Sequence, residues 1–307
     1  MPRRHNGPRA HRGALIALAA VVAVIAGVED ARATLIPTFP FLETASRDNR
    51  ILDPDSGRVL GTERTRAWRE EGERWRFFAI RDYPGVRTIL EENVARIDDR
   101  IHPLTHRYEV HDAAGKPLHA IRVDYDAPAG VALVRWDHGG EHEEKRLEMA
   151  EPPYMGHLMG LGLRAIPALG LSELRFRTIA VSPRIFDLEI LASVKARAAK
   201  SLAGAPTLCV RIDPEPQLGF LLTTIAGLFS PRTELWYGAA PPHDFCGFHG
   251  LPLPWTGEDE VWVEPTEILG PIDGPEPELP RLDSEAWRAW RSGGADTNQK
   301  PADGDRP

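Results

Sequence analysis

The densest group of metal-ligand types in this 307-residue chain is Asp137-His138-Gly139-Gly140-Glu141-His142-Glu143-Glu144. Imidazole and carboxylate side chains suit zinc and similar ions. The Gly-Gly pair between two extended runs, however, predicts a hairpin tip. A solvated turn lacks the outer hydrogen-bonding groups that orient metal ligands, so this segment reads as a charged turn and no metal site is expected. His102, His106, His111 and His119 fall on neighbouring predicted strands, with His106 on the apolar face and His111 on the other. So scattered a set points to structural roles. The chain has no G-x-S-x-G, phosphate-loop or H-E-x-x-H pattern. Gly156, Gly160 and Gly162 lack phosphate-loop spacing after a strand and read as packing glycines. The expectation is a non-enzyme with no catalytic residues and no cofactor.

Two cysteines, Cys209 and Cys246, are too few for a disulfide-stapled mini-fold or a multi-cysteine metal site. Their predicted strands are separated by another strand. Two strand spacings come to roughly 9.6 Å, beyond the roughly 7 Å that a bridge tolerates between Cα atoms. The expectation is therefore no disulfide.

The elements that position these residues are mostly strands. Val59–Arg69, Glu73–Asp82, Val86–Asp98, Pro103–Asp112, Leu118–Tyr125, Val131–Asp137 and Glu141–Met149 are β-branched or aromatic runs separated by turn residues. Connections this short join antiparallel neighbours, so the first half is a meander. Leu104, His106, Tyr108 and Val110 alternate with polar residues, which predicts one wet and one apolar face. A glycine-rich apolar helix over Tyr154–Ala165 is the candidate cover for that apolar face. Strands resume at Leu174–Val181, Ile185–Ala196, Thr207–Asp213, Thr233–Tyr237, Asp244–His249 and Glu260–Glu264. Between two of them lies the apolar stretch 218–229, too short to span a bilayer.

Composition bounds the rest. With 37 Lys+Arg against 45 Asp+Glu, the formal charge of −8 argues against nucleic acid, whose phosphates need a basic face. Arg3, Arg4, Arg9 and Arg12 precede an uncharged run, Gly13–Val28, and then Ala31-Arg32-Ala33. That order predicts a secretory signal peptide over 1–33. Residues 34–44 read as a linker, 45–269 as one β domain, and 270–307 as an acidic, Pro-rich tail. The tail is expected to be disordered apart from a short helix near 284–291, with Trp287 and Trp290 three apart.

The order of segments Arg164-Ala165-Ile166-Pro167-Ala168-Leu169, Glu173-Leu174-Arg175-Phe176, Thr207-Leu208-Cys209-Val210-Arg211-Ile212 and Thr233-Glu234-Leu235-Trp236-Tyr237 resembles the bacterial envelope proteins of domain-of-unknown-function family 3108. The resemblance covers about residues 58–265. It implies a curved, open half-barrel sheet around a helical plug, as in periplasmic lipoprotein carriers, with an apolar cavity suited to acyl chains. It brings no catalytic residues.

The expected function is a periplasmic, non-catalytic protein that binds or carries a hydrophobic ligand such as a lipid or lipoprotein acyl chain. The alternative is an envelope scaffold meeting a protein partner through the apolar 218–229 stretch. The expected ligand-binding residues are Leu158, Met159, Phe220, Leu221, Leu222, Ile225, Trp236 and Phe245.

Overall fold

In-phase alternation over successive runs gives strands that can pair only with their neighbours, and the computed structural model shows them joined in one sheet. It describes residues 35–39, 46–181, 184–217, 233–251 and 260–269. The first eight strands are β1 (Arg47–Leu52), β2 (Val59–Arg69), β3 (Arg74–Tyr83), β4 (Arg87–Ile97), β5 (Ile101–Asp112), β6 (Pro117–Asp126), β7 (Val131–His138) and β8 (Glu141–Glu148). The helix α1 (Gly156–Ala168) follows, the one helix among the described residues. Six more strands complete the fold: β9 (Glu173–Val181), β10 (Ile185–Leu202), β11 (Ala205–Pro216), β12 (Glu234–Gly238), β13 (Phe245–Gly250) and β14 (Val261–Ile268).

Every ladder is antiparallel, and the order is β8-β7-β6-β5-β4-β3-β2-β1-β14-β13-β12-β11-β10-β9. Two meanders are thus zipped together where β14 returns to β1, from Arg47↔Ile268 to Leu52↔Trp262. The sheet stays open, with β8 and β9 as its edges. β8 carries an almost continuous charged sequence, EHEEKRLE, which suits an edge that must not recruit another strand. Across the opening, Lys145 Nζ donates to the Ile185 carbonyl at 2.6 Å.

The expected helix covers the apolar face. α1 touches β3, β4 and β5 on one wall and β9 and β12 on the other, so the sheet is wrapped round it. Leu158, Leu161, Leu163 and Ile166 are buried in one continuous core with Ile89, Ile121, Phe176, Ile212 and Val263. Gly162 lets the helix approach closely, since a Cβ there would lie 2.3 Å from Ile36 Cδ1. Ile36 and Phe39 belong to the segment expected to be a linker, yet both are buried. Ile36 N–H donates to the Tyr154 hydroxyl (2.9 Å), which itself donates to the Ile101 carbonyl (2.6 Å).

Two local expectations need correction. Leu104 does not share the inward face with His106, Tyr108 and Val110. The register passes from Val94↔Thr105 to Ala95↔Pro103, so Leu104 is the extra residue of a bulge. The second correction is the disulfide. Cys209 and Cys246 are bridged, with Cα atoms 6.5 Å apart, although β12 does lie between their strands. The meander was right and the flat-ladder geometry was wrong. A register shift between Trp236 and Tyr237 bends β13 against β12. The far half of β10 also reaches β13 and β14, stacking Ala198 and Lys200 on the outer side with Trp236 and Trp262.

The expected signal peptide, the 218–229 stretch and the acidic tail with its short helix lie outside the described residues. Among the described residues no helix is long and apolar enough to cross a membrane.

Candidate functional site

Between α1 and the concave face of the sheet is a cavity of about 890 Å³, near the top of the ~300–1,000 Å³ range of small-molecule sites. Much of its wall is apolar. Ile51, Phe77, Ile121, Ile179, Leu188 and Val263 come from strands spread round the sheet, while Met155, Met159 and Leu161 come from the helix side. A surface of this kind holds acyl chains or other apolar groups by removing them from water.

One wall is charged. Strand alternation carries Glu63 inward between Gly61 and Thr65, Arg81 between Ala79 and Tyr83, and Glu91 between Ile89 and Asn93. Arg81 spans both carboxylates, donating from Nε to Glu63 at 2.5 Å and from Nη2 to Glu91 at 3.1 Å. Asn49 Nδ2 donates to the other Glu63 oxygen at 2.6 Å. Glu91 Oε1 accepts from the His157 backbone N–H (2.7 Å), from His157 Nδ1 (3.0 Å) and from Asn93 Nδ2 (3.0 Å). Asn93 Oδ1 pairs with His106 Nδ1 at 2.9 Å.

Glu91 therefore caps α1 from outside the helix. The residue before the helix, Met155, makes no side-chain cap bond, and the first turn leaves orphan N–H groups and a positive dipole end. A buried carboxylate from β4 meets both needs. Gly156 makes this approach feasible, because a Cβ there would stand 1.7 Å from Glu91 Oε1.

Electrostatics follow from the burial and the pairing. Burial pushes Glu91 upward, but His157 and Arg81 outweigh it and hold the carboxyl well below its usual range. Burial likewise opposes ionisation of Glu63, and Arg81, His157 and Arg47 reverse it, lowering its pKa. Burial lowers Arg81, and the two glutamates more than compensate, so it is raised. His106 is pushed down to about 4, chiefly by burial and against the pull of Glu91, so it is neutral at pH 7.

Thr65 Oγ1, His157 and Glu91 form a hydroxyl–imidazole–carboxylate row at 3.4 and 3.0 Å. Thr65 is only 1% exposed, and the same Glu91 oxygen is shared with the helix N-terminus. The row anchors the helix.

The sequence-derived site residues divide. Met159 and Phe245 line the cavity. Leu158 is buried in the core, not on the cavity wall. Trp236 is corrected: it packs on the outer side against the disulfide and Lys200, because its strand neighbours Leu235 and Tyr237 take the inward positions. Phe220, Leu221, Leu222 and Ile225 lie outside the described residues. Of the four histidines singled out by sequence, only His106 reaches the cavity. His102 pairs with Asp98 at 3.0 Å and His111 with Glu109 at 3.0 Å. His119 Nδ1 accepts from Trp136 Nε1 at 3.2 Å. In the Asp137–Glu144 turn, His142 pairs with Asp137 at 2.7 Å and both are exposed. No group of three metal-ligating side chains occurs among the described residues.

The charged wall was missed by sequence reasoning, although a signal existed. In β2, β3 and β4 the three residues Glu63, Arg81 and Glu91 fall in phase with Ala67, Phe77 and Ile89, which marks them as facing inward, whereas Arg64, Arg76 and Glu92 fall on the other face. No family model, curated protein or solved structure matches this chain.

Proposed function

We propose that this protein is a non-catalytic carrier or binding protein for a hydrophobic ligand, a lipid or acyl chain, working in the bacterial envelope after export. The observation that carries the reading is the cavity of about 890 Å³ between α1 and an open sheet. A closed, filled interior has no place for a ligand, whereas this sheet ends in two separate edges with a helix between its walls. The half-barrel and helical plug expected of periplasmic lipoprotein carriers agree with that arrangement. The Cys209–Cys246 bridge supports an oxidising compartment, in keeping with the basic-then-apolar N-terminus.

The test is titration of the purified chain with an environment-sensitive apolar dye. Met159 faces the cavity from α1, so Met159→Trp fills part of it. The expected result is saturable dye binding to the parent and at least a tenfold loss in the variant, with an unchanged circular dichroism spectrum. Equal binding by a folded variant refutes the cavity as the site.

A further inference from the structure

The charged wall contains two groups whose hydrogen-bonding capacity is left over, and together they define a ligand head. Arg81 uses Nε and Nη2 on the glutamates, and among the described residues nothing pairs with its Nη1. His106 uses only Nδ1. A carboxylate can only accept, so the Asn93 amide nitrogen must face Glu91 and its oxygen must face His106. His106 then carries its proton on Nδ1, and its Nε2 is a bare acceptor. Both side chains line the cavity, and His106 is 7% exposed.

Where Arg81 and His106 lie, Glu63 and Glu91 already face Arg81 and Arg47, and the other charged lining residues, Arg164, Lys195, Arg211, Asp213 and Glu215, come from other elements of the cavity. A phosphate or carboxylate head would be desolvated beside two glutamates, and an ammonium head beside two guanidinium groups. Each would bury a charge without a partner of its own. A hydroxyl meets neither obstacle. It both accepts and donates, which matches the donor group left on Arg81 and the one acceptor left on His106.

Building on the carrier reading, we propose that the cavity selects a neutral amphiphile, an acyl chain ending in a hydroxyl-bearing head of the acylglycerol kind, seated between Arg81 Nη1 and His106 Nε2. The chain lies along the apolar wall formed by residues such as Phe77, Ile121 and Ile179.

The experiment is displacement of the bound dye from the full chain at pH 7.5 by 1-monooleoylglycerol and by oleate, which share a chain and differ in head. The expected result is that monooleoylglycerol binds at least tenfold more tightly. His106→Leu should weaken monooleoylglycerol by about tenfold, since an unmet hydrogen bond at a buried site has that scale. His106→Gln, which keeps an acceptor, should stay within about threefold on the same argument. Oleate binding as tightly as monooleoylglycerol, or His106→Leu without effect on a folded protein, overturns the head assignment while the carrier reading stands. If neither lipid displaces the dye, the carrier reading fails and this inference fails with it.

Discussion

Replacing each glycine of α1 by alanine should give three different results, because the three positions meet three different neighbours. At Gly156 the backbone has φ +51°, a conformation that costs an L-residue about 1–2 kcal/mol. The new Cβ would fall 1.7 Å from Glu91 Oε1, forcing the carboxylate off the His157 N–H and ring. Losing that charge-assisted contact costs about 1.5–3 kcal/mol more. The sum, about 2.5–5 kcal/mol, corresponds to a fall of roughly 5–20 °C in melting temperature for a domain of this size. At Gly160 a Cβ would make an ordinary 3.5 Å contact with the Tyr237 hydroxyl, so alanine's helix propensity should dominate, raising stability by up to about 1 kcal/mol. At Gly162 the new methyl would press on the fully buried Ile36. Overpacking of about 1–3 kcal/mol then offsets the helix gain, leaving a small net loss. Thermal and urea unfolding of the three variants reads the ranking directly. Gly156→Ala melting within about 2 °C of the parent would refute the claim that Glu91 caps the helix through an obligatory glycine.

Other outcomes follow from the same contacts. Stability should fall as the pH drops from about 6.5 to 4, because the unfolded chain takes up a proton at His106 near its ordinary value while the folded protein resists until about 4. That difference amounts to about 3 kcal/mol by pH 4, and His106→Leu should make this part of a urea-midpoint profile shallower, with His119, also pushed down to about 4 by burial, keeping part of the slope; an unchanged slope refutes it. Glu63 and Glu91, whose folded values are lowered, add a further loss in the same direction at lower pH. Arg81→Met should cost about 3–5 kcal/mol by stranding two buried carboxylates, and adding Glu63→Gln and Glu91→Gln should restore part of it. Denatured, non-reduced protein should show no free thiol, and opening the bridge across its 37-residue separation should cost about 4 kcal/mol.

How much of this was legible in the sequence depended on what each strand faces. Strands whose inward side chains are apolar, such as β6 with Ile121 and Val123 or β7 with Ala132 and Val134, announce themselves by alternation. β1 does not. Its inward residues include Asn49, which serves the charged wall, and its outward ones are Asp48 and Arg50, so Arg47–Leu52 shows no period. The same wall hid Glu63, Arg81 and Glu91, since a charged residue in a half-wet sheet is ordinarily assigned to water. The helix was legible from its apolar residues, and close approach holds at Gly156 and Gly162 but not at Gly160, where a Cβ would make an ordinary 3.5 Å contact. Their individual partners, Glu91 and Ile36, come from strands and segments far away in the chain. The disulfide was missed for a geometric reason, because bends and bulges are set by packing on the outer side at Trp236 and Trp262, which no local pattern encodes.

Whether the protein carries a lipid is read most directly by mass spectrometry, under non-denaturing conditions, of the chain expressed with its N-terminal segment in a bacterial cell envelope. A lipid or acyl compound should be retained in stoichiometric amount and lost in Met159→Trp. A folded protein that emerges empty and takes up no added monooleoylglycerol would contradict the carrier reading.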